Sequence, residues 1–290
     1  MNSRLVVLAA LFAAGCSAAV PTGPVPTDPL PTTLPSTPIP TPVVDGMVLI
    51  PANSGVKAFR LDAYPVTTQQ FVDWANRSVD GLVNARGGDP RRWDGPIHPI
   101  ERDAVRDATG REIFTTDDSD DDSRILRRDG RFAVEQGFAD HPVTEVWWWG
   151  AVQYCDARGA RLLTEAEWEA AVRGTEGRPW PWGSAPLDRT RAQYGESYGE
   201  TSPVTAHPAG ASPEGVYDLI GNLYTWTSSL DRPYPYVADD GREDRSSLQA
   251  RITRGGAHDE SSLSVIDRDG YSRDPFAGHH HIGFRCAAGV

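Results

Sequence analysis

Lysine is almost absent from this chain: Lys57 is the only one among 28 basic residues. The arginines that make up the rest are interspersed with 40 acidic residues, and the net charge is −12. A clustered basic face, which binding to a phosphate backbone requires, is missing, so no nucleic-acid partner is expected. Cysteine is scarce too, with Cys16, Cys155 and Cys286 the only three. An odd number in an exported protein means that one lies outside any internal disulfide. The apolar run Leu5 to Ala14 is too short to span a bilayer. There is no phosphate-binding glycine loop, no Ser-His-Asp arrangement with recognisable spacing and no internal repeat.

What is present begins with an address. Leu5 to Ala14 follows a single positive charge, Arg4, and reads as the apolar region of a signal peptide over residues 1–15. It ends in Ala13-Ala14-Gly15-Cys16, which resembles a lipobox, although leucine is usual where Ala13 stands. Lipidation of Cys16 would anchor the chain firmly through several acyl chains. An ordinary signal peptide cut nearby is the competing reading. Ser17, where sorting rules of double-membrane bacteria would place Asp for inner-membrane retention, points to the outer membrane.

From Pro21 to Pro42, nine of 22 residues are proline and six are threonine. Proline fixes its own φ and biases its predecessor toward extended backbone. Residues 16–44 therefore read as a lipidated cysteine and a semi-rigid tether, at about 3.1 Å per residue. A ligand for a proline-binding module is the alternative. What remains, residues 45–290, is long enough for one large domain with a buried core.

Within that domain, Met47–Pro51 and Phe59–Tyr64 are expected to be strands. Thr67 or Thr68 is expected to cap a helix through Gln70, Phe71 and Trp74. Residues 80–140 are the least readable part, rich in Gly, Pro, Asp and Arg, and a solvated loop is the simpler reading of their acidic stretch. They include the acidic run Asp117 to Asp122, whose oxygens suit calcium but whose spacing is not that of an EF-hand. A strand is expected from His141 to Trp149, then a helix carrying Ala151, Val152, Tyr154 and Cys155. Thr164-Glu165-Ala166-Glu167 is a capping box opening another helix. Few helices and many connections give an α+β fold class.

Four stretches in order carry a family resemblance: Met47–Pro51; His141–Glu169 with its Arg161-Leu162-Leu163-Thr164-Glu165-Ala166-Glu167-Trp168-Glu169; Gly215–Trp226; and Arg254-Gly255-Gly256 followed by Ile282-Gly283-Phe284-Arg285-Cys286. Together they resemble the formylglycine-generating enzyme (sulfatase-modifying factor) family, over nearly all of residues 45–290. The resemblance implies a C-type-lectin-like fold with little regular secondary structure. It also implies a disulfide between Cys155 and Cys286, with two reduced thiols as the alternative. A second family disulfide maps to Val172 and Gly270, so both of its partners are missing.

Members of the family that act on sulfatases use oxygen and a copper ion held by two cysteines to oxidise a substrate cysteine. By register, Glu260 and Val265 stand where those cysteines would be, and Ala257 replaces a serine. The pocket residue Trp226 is retained, and His258 lies at the rim. Copper(I) is soft and needs thiolates, which a carboxylate and a valine do not provide. Copper is therefore not an expected cofactor. Calcium stays open through Asn222, although Thr225 replaces the glutamate of the family's calcium motif. A turn role for Asn222 is the simpler alternative.

Three functions follow. The first is a non-catalytic envelope module that binds a protein or a glycan. The second is a formylglycine-generating oxidase. The third is a different metalloenzyme, using His258 and Glu260 with Asp259 and His279 to His281 nearby as a site for zinc or non-haem iron, with surface histidines and solvated carboxylates on loops as the simpler alternative. If these histidines lay on a strand, only alternate ones would converge.

Overall fold

The computed structural model describes residues 46–79, 82–85, 104–107, 111–118, 120–195, 200–266, 268 and 274–290. All lie in the unit Pro42–Val290. The expected signal segment 1–15, the tether 16–44 with Cys16, and position Gly270 fall outside the described residues.

The first and last strands of the domain share one sheet. β1 (Met47–Ile50) pairs antiparallel with β2 (Phe59–Asp62). β2 then pairs with the final strand of the chain, Cys286–Gly289, which pairs in turn with the short strand Arg161–Leu162. Successive side chains on a strand face opposite ways. Accordingly Cys286 joins one buried cluster, with Phe71, Trp148 and Phe284, while its neighbour Ala287 joins another, with Phe59, Leu61 and Trp168.

α1 (Thr68–Arg77) starts where Thr67 accepts from the Gln70 backbone and Gln70 reaches back, a complete capping box. It buries Phe71, Val72, Trp74 and Ala75. The Phe71 ring meets Phe114 edge-on at 5.2 Å and stacks on Tyr154 at 5.8 Å. These aromatic pairs fix the helix against the core.

The region least readable from sequence contains five short strands. β3 (Leu82–Ala85), β4 (Ala104–Asp107) and β5 (Glu112–Thr115) form one antiparallel sheet. β6 (Ile125–Arg128) and β7 (Arg131–Val134) form a hairpin. Asp129 and Gly130, with φ of 49° and 76°, make its two-residue turn. That sign at both positions matches the twist of the flanking strands.

The strand expected from His141 to Trp149 does not form. Glu145 has a φ of 57°, which no strand accommodates. The segment pairs only through isolated bridges, Pro142 with Thr67 and Val146 with Phe114. α2 (Trp148–Ala157) begins three residues earlier than Ala151. Gly150 is required there, because a Cβ would collide with the Ile113 carbonyl of β5.

β8 (Arg161–Leu162) leads into α3 (Glu165–Arg173), whose Thr164–Glu167 capping box is as the sequence suggests. A second three-stranded sheet places β9 (Tyr224–Leu230) between β10 (Arg251–Arg254), antiparallel, and β11 (Ile282–Gly283), parallel. β12 (Cys286–Gly289) closes the fold.

Candidate functional site

The segment that matters runs from the end of β10 to Val265. Gly255 and Gly256 have φ of 110° and 74°. A Cβ on Gly255 would strike the Leu219 carbonyl, and one on Gly256 the Leu263 side chain. These two glycines turn the chain out of the sheet and aim residues 257–260 toward the start of β11.

Ala257 is wholly buried, and so is Trp226, whose indole Nε1 donates to the Val146 carbonyl at 3.1 Å. Trp226 thus serves as core in this chain. Glu260 accepts a hydrogen bond from the Tyr224 hydroxyl at 2.8 Å, and its carbonyl accepts from Gly195. Val265 is 8% exposed and packs in the cluster of Trp168 and Leu163. Neither position presents a soft ligand.

Cys155 of α2 is bonded to Cys286 of β12. Both domain thiols are therefore consumed in a covalent link between a helix and the central sheet.

Asn222 is a turn residue, with φ of 67°. Its side chain accepts from the Ser202 backbone at 2.8 Å and donates to the Ser202 carbonyl at 3.0 Å and to Asp218 at 2.9 Å. All of its polar capacity toward the 202 segment is used in holding that segment. Burial raises Asp218 to about 7, against the opposing effects of Asn222 and Arg285.

A second polar cluster lies at the other end of the 257–260 segment. Asp259 faces two histidines that precede β11. Its Oδ2 is 3.8 Å from His280 Nε2 and 3.6 Å from His281 Nδ1. The two ring nitrogens are 3.3 Å apart. On the far side of His280, Nδ1 is 3.7 Å from Asp122 Oδ2, at the end of the acidic run. His258 is 1% exposed, and its ring centroid is 6.0 Å from that of His280. Contact with His280 holds Asp259 low, at about 2, and Asp259 raises His280 in return. Burial lowers His281 to about 3 and also lowers His258.

This grouping differs from the sequence expectation in two ways. His279 to His281 do not lie on a strand: the chain turns there, with Ile282 N bonded to the His279 carbonyl. Strand alternation therefore does not apply, and two consecutive rings converge. Of the residues that the sequence singles out as metal ligands, Asn222 is engaged in a turn and Glu260 with Tyr224. The carboxylate that meets the histidines is Asp259. Asp122 is readable from sequence only as part of an acidic loop, because nothing local to it signals His280.

On the other side of the domain, Glu165 is fully buried at the start of α3 and accepts from Arg254 at 3.3 Å and Arg268 at 2.6 Å. The Arg254 guanidinium also covers the Trp168 ring at 4.2 Å. This network clamps the Arg-Gly-Gly turn onto the helix opened by Thr164, which joins two of the four motif stretches.

A sheet carrying both ends of the domain, few helices and long, well-packed connections define a C-type-lectin-like domain. The chain belongs to the family of the sulfatase-modifying factor enzyme 1-like domain, whose model matches residues 45–290. It is 31% identical over 238 residues to the serine/threonine-protein kinase pkn1 of Chlamydia caviae, covering 80% of this chain and 33% of that protein. It thus spans about a third of that relative's length. It is 34% identical over 162 residues to the inactive C-alpha-formylglycine-generating enzyme 2 of Bos taurus, covering 52% of this chain and 51% of that one. With the formylglycine-generating enzyme of Bos taurus it shares 28% over 260 residues, covering 80% of this chain and 66% of the enzyme. Among solved structures, the crystal structure of CarF superposes with a TM-score of 0.50 at 18% identity, covering 82% of this chain and 89% of that one.

Proposed function

We propose that this chain is an exported, lipid-anchored family member that binds an envelope protein or glycan and does not carry out the family's oxidation. One observation carries the reading: the domain has two thiols, and they are bonded to each other across α2 and β12. A redox copper ion needs thiolate ligands. The register positions offer a glutamate engaged by Tyr224 and a valine packed in the core. Similarity to a relative named as inactive supports the same reading.

The anchor at Cys16 and the Pro/Thr-rich tether would hold the domain at the envelope surface, at the outer membrane by the residue following Cys16. A cavity of about 350 Å³ beside α3, lined by Asn53, Glu169, Arg173, Tyr234 and Tyr236, offers aromatic faces next to polar groups. Such a lining suits a sugar or a peptide.

The deciding experiment incubates the full chain with copper, oxygen and a cysteine peptide of sulfatase type. The expected result is an unchanged peptide. An aldehyde product would overturn the reading in favour of the oxidase.

A further inference from the structure

We propose that Asp259, His280 and His281 form a binding site for a divalent first-row transition ion, with zinc the best fit. This goes beyond the binding role above and does not rest on it.

The three donor atoms form a triangle with sides of 3.3, 3.6 and 3.8 Å. The shortest distance at which one ion can stand equally far from all three is about 2.1 Å, in the plane of the donors, and it equals the usual zinc distance to imidazole nitrogen and carboxylate oxygen. The sides also distinguish coordination types. Ligands about 2.1 Å from a tetrahedral ion stand about 3.4 Å apart, whereas neighbours around an octahedral ion at that distance stand about 3.0 Å apart. The observed sides are nearer the tetrahedral spacing and average slightly wider than it, so the three donors draw in by a few tenths of an ångström around a tetrahedral ion. Calcium would need longer bonds and more oxygens than this group offers.

Two further observations point to a ligand. Asp122 approaches the nitrogen of His280 that faces away from the triangle, at 3.7 Å. At that distance the carboxylate acts on the ring by charge, and a small closing movement would let it accept from that nitrogen, fixing the tautomer and leaving the other nitrogen's lone pair for the ion. This gives Asp122, at the end of the acidic run, a role as a positioning residue. The second observation concerns polar atoms in the interior. His258 Nδ1 and Asp259 Oδ1 are buried and have no hydrogen-bond partner among the described residues. Burying a polar atom unpaired costs about 1–3 kcal/mol. A hydrated ion in the cluster would supply water protons to such acceptors.

Three protein ligands leave a fourth position. Asp259 and His280 are partly exposed, so that position opens toward solvent, for water or an oxygen donor from a partner.

The test uses the full chain, purified in detergent without a histidine tag, dialysed against excess zinc and then against buffer. One zinc per chain is expected. Asp259→Asn and His280→Gln should each weaken zinc binding more than about 100-fold, and Asp122→Asn by about 10- to 100-fold. His141→Gln, at a half-buried histidine bonded to Thr201, should leave it unchanged. Each variant's near-ultraviolet circular dichroism checks that it has folded. Should the variants fail to fold, cobalt bound to the unaltered chain decides the matter. A strong visible spectrum of tetrahedral type is expected, and a weak octahedral one overturns the site as drawn. Absence of stoichiometric zinc, or undiminished affinity in folded Asp259→Asn or His280→Gln, overturns the proposal. In the first case the 3.3 Å approach of the two rings is an ordinary N–H to N hydrogen bond.

Discussion

The side-chain amide of Asn222 donates to the carboxyl of Asp218 at 2.9 Å, inside a turn where both residues have positive φ. Asp218 is fully enclosed, and burial raises it to about 7. An unfolded aspartate titrates near pH 3.9. Between those values the native state holds a proton that the unfolded state has lost. Stability from this group is therefore full below about pH 4 and declines as pH rises toward 7. Asp218→Asn removes the titration and keeps the shape. Relative to the parent, the variant should gain stability between pH 5 and pH 8. The gain is roughly 1.4 kcal/mol for each pH unit from pH 5 up to the point where the folded carboxyl titrates. Urea midpoints of both proteins at the two pH values measure this. Parallel pH profiles would show that Asp218 ionises freely in the native turn.

The bond between Cys155 and Cys286 closes a loop with a sequence separation of 131. In the chain-entropy view, a loop on the order of 100 residues contributes about 4–5 kcal/mol by restricting the unfolded chain. Both sulfurs are fully buried in the cluster with Phe71 and Trp148. The double substitution to alanine loses packing as well as the link. The expected outcome is a fall of at least about 4 kcal/mol in unfolding free energy. The parent treated with a strong reductant under unfolding conditions should fall by a similar amount. An unchanged urea midpoint after verified reduction would contradict this.

Glu165 sits with no exposed surface between Arg254 and Arg268. Removing one member of a buried ion network strands the others, at a cost of about 3–5 kcal/mol. Glu165→Ala should show that loss. Combining it with Arg254→Met, which keeps most of the cover over Trp168, should recover a good part of it. Thermal and urea unfolding of the single and double variants read the difference. If the double variant is no better than Glu165→Ala, the cost lies in lost packing at the helix start and not in the stranded charge.

The sequence is most legible where structure is local. The Thr164–Glu167 capping box and the helix cap expected at Thr67 or Thr68, found at Thr67, need only residues three apart. The family resemblance supplies the fold class and the disulfide pairing, which no periodicity in this chain would have given. The strand expected from His141 to Trp149 fails because Glu145 takes a left-handed conformation while it bonds His279 and Thr115 from other parts of the chain. β3 to β7 have four residues each, too few for alternation to register. The cluster is half visible. Asp259 and the three histidines stand out in the sequence, yet the choice of Glu260 over Asp259 depends on a register that the Gly255–Gly256 turn resets. Asp122 reaches His280 across the fold, and such a pairing leaves no trace in local sequence.

The N-terminal segment carries the last expectation. If Cys16 is lipidated, the mature chain holds several acyl chains at one residue. Each buried methylene contributes about 0.8 kcal/mol, so a single chain binds membranes only marginally while several bind firmly. The parent should therefore take up a labelled fatty acid and stay with the outer-membrane fraction through a high-salt wash. Salt strips proteins held by charge and leaves acyl anchors in place. Cys16→Ser removes the acylated sulfur without touching the Cys155–Cys286 bond. It should abolish the label and move the chain out of the washed membranes. A Cys16→Ser chain that remains with the membrane through the salt wash would mean that the signal segment is retained or that the domain holds a membrane partner of its own. Label that persists in the variant would place the acyl group elsewhere. Either result would overturn anchoring through an acylated Cys16.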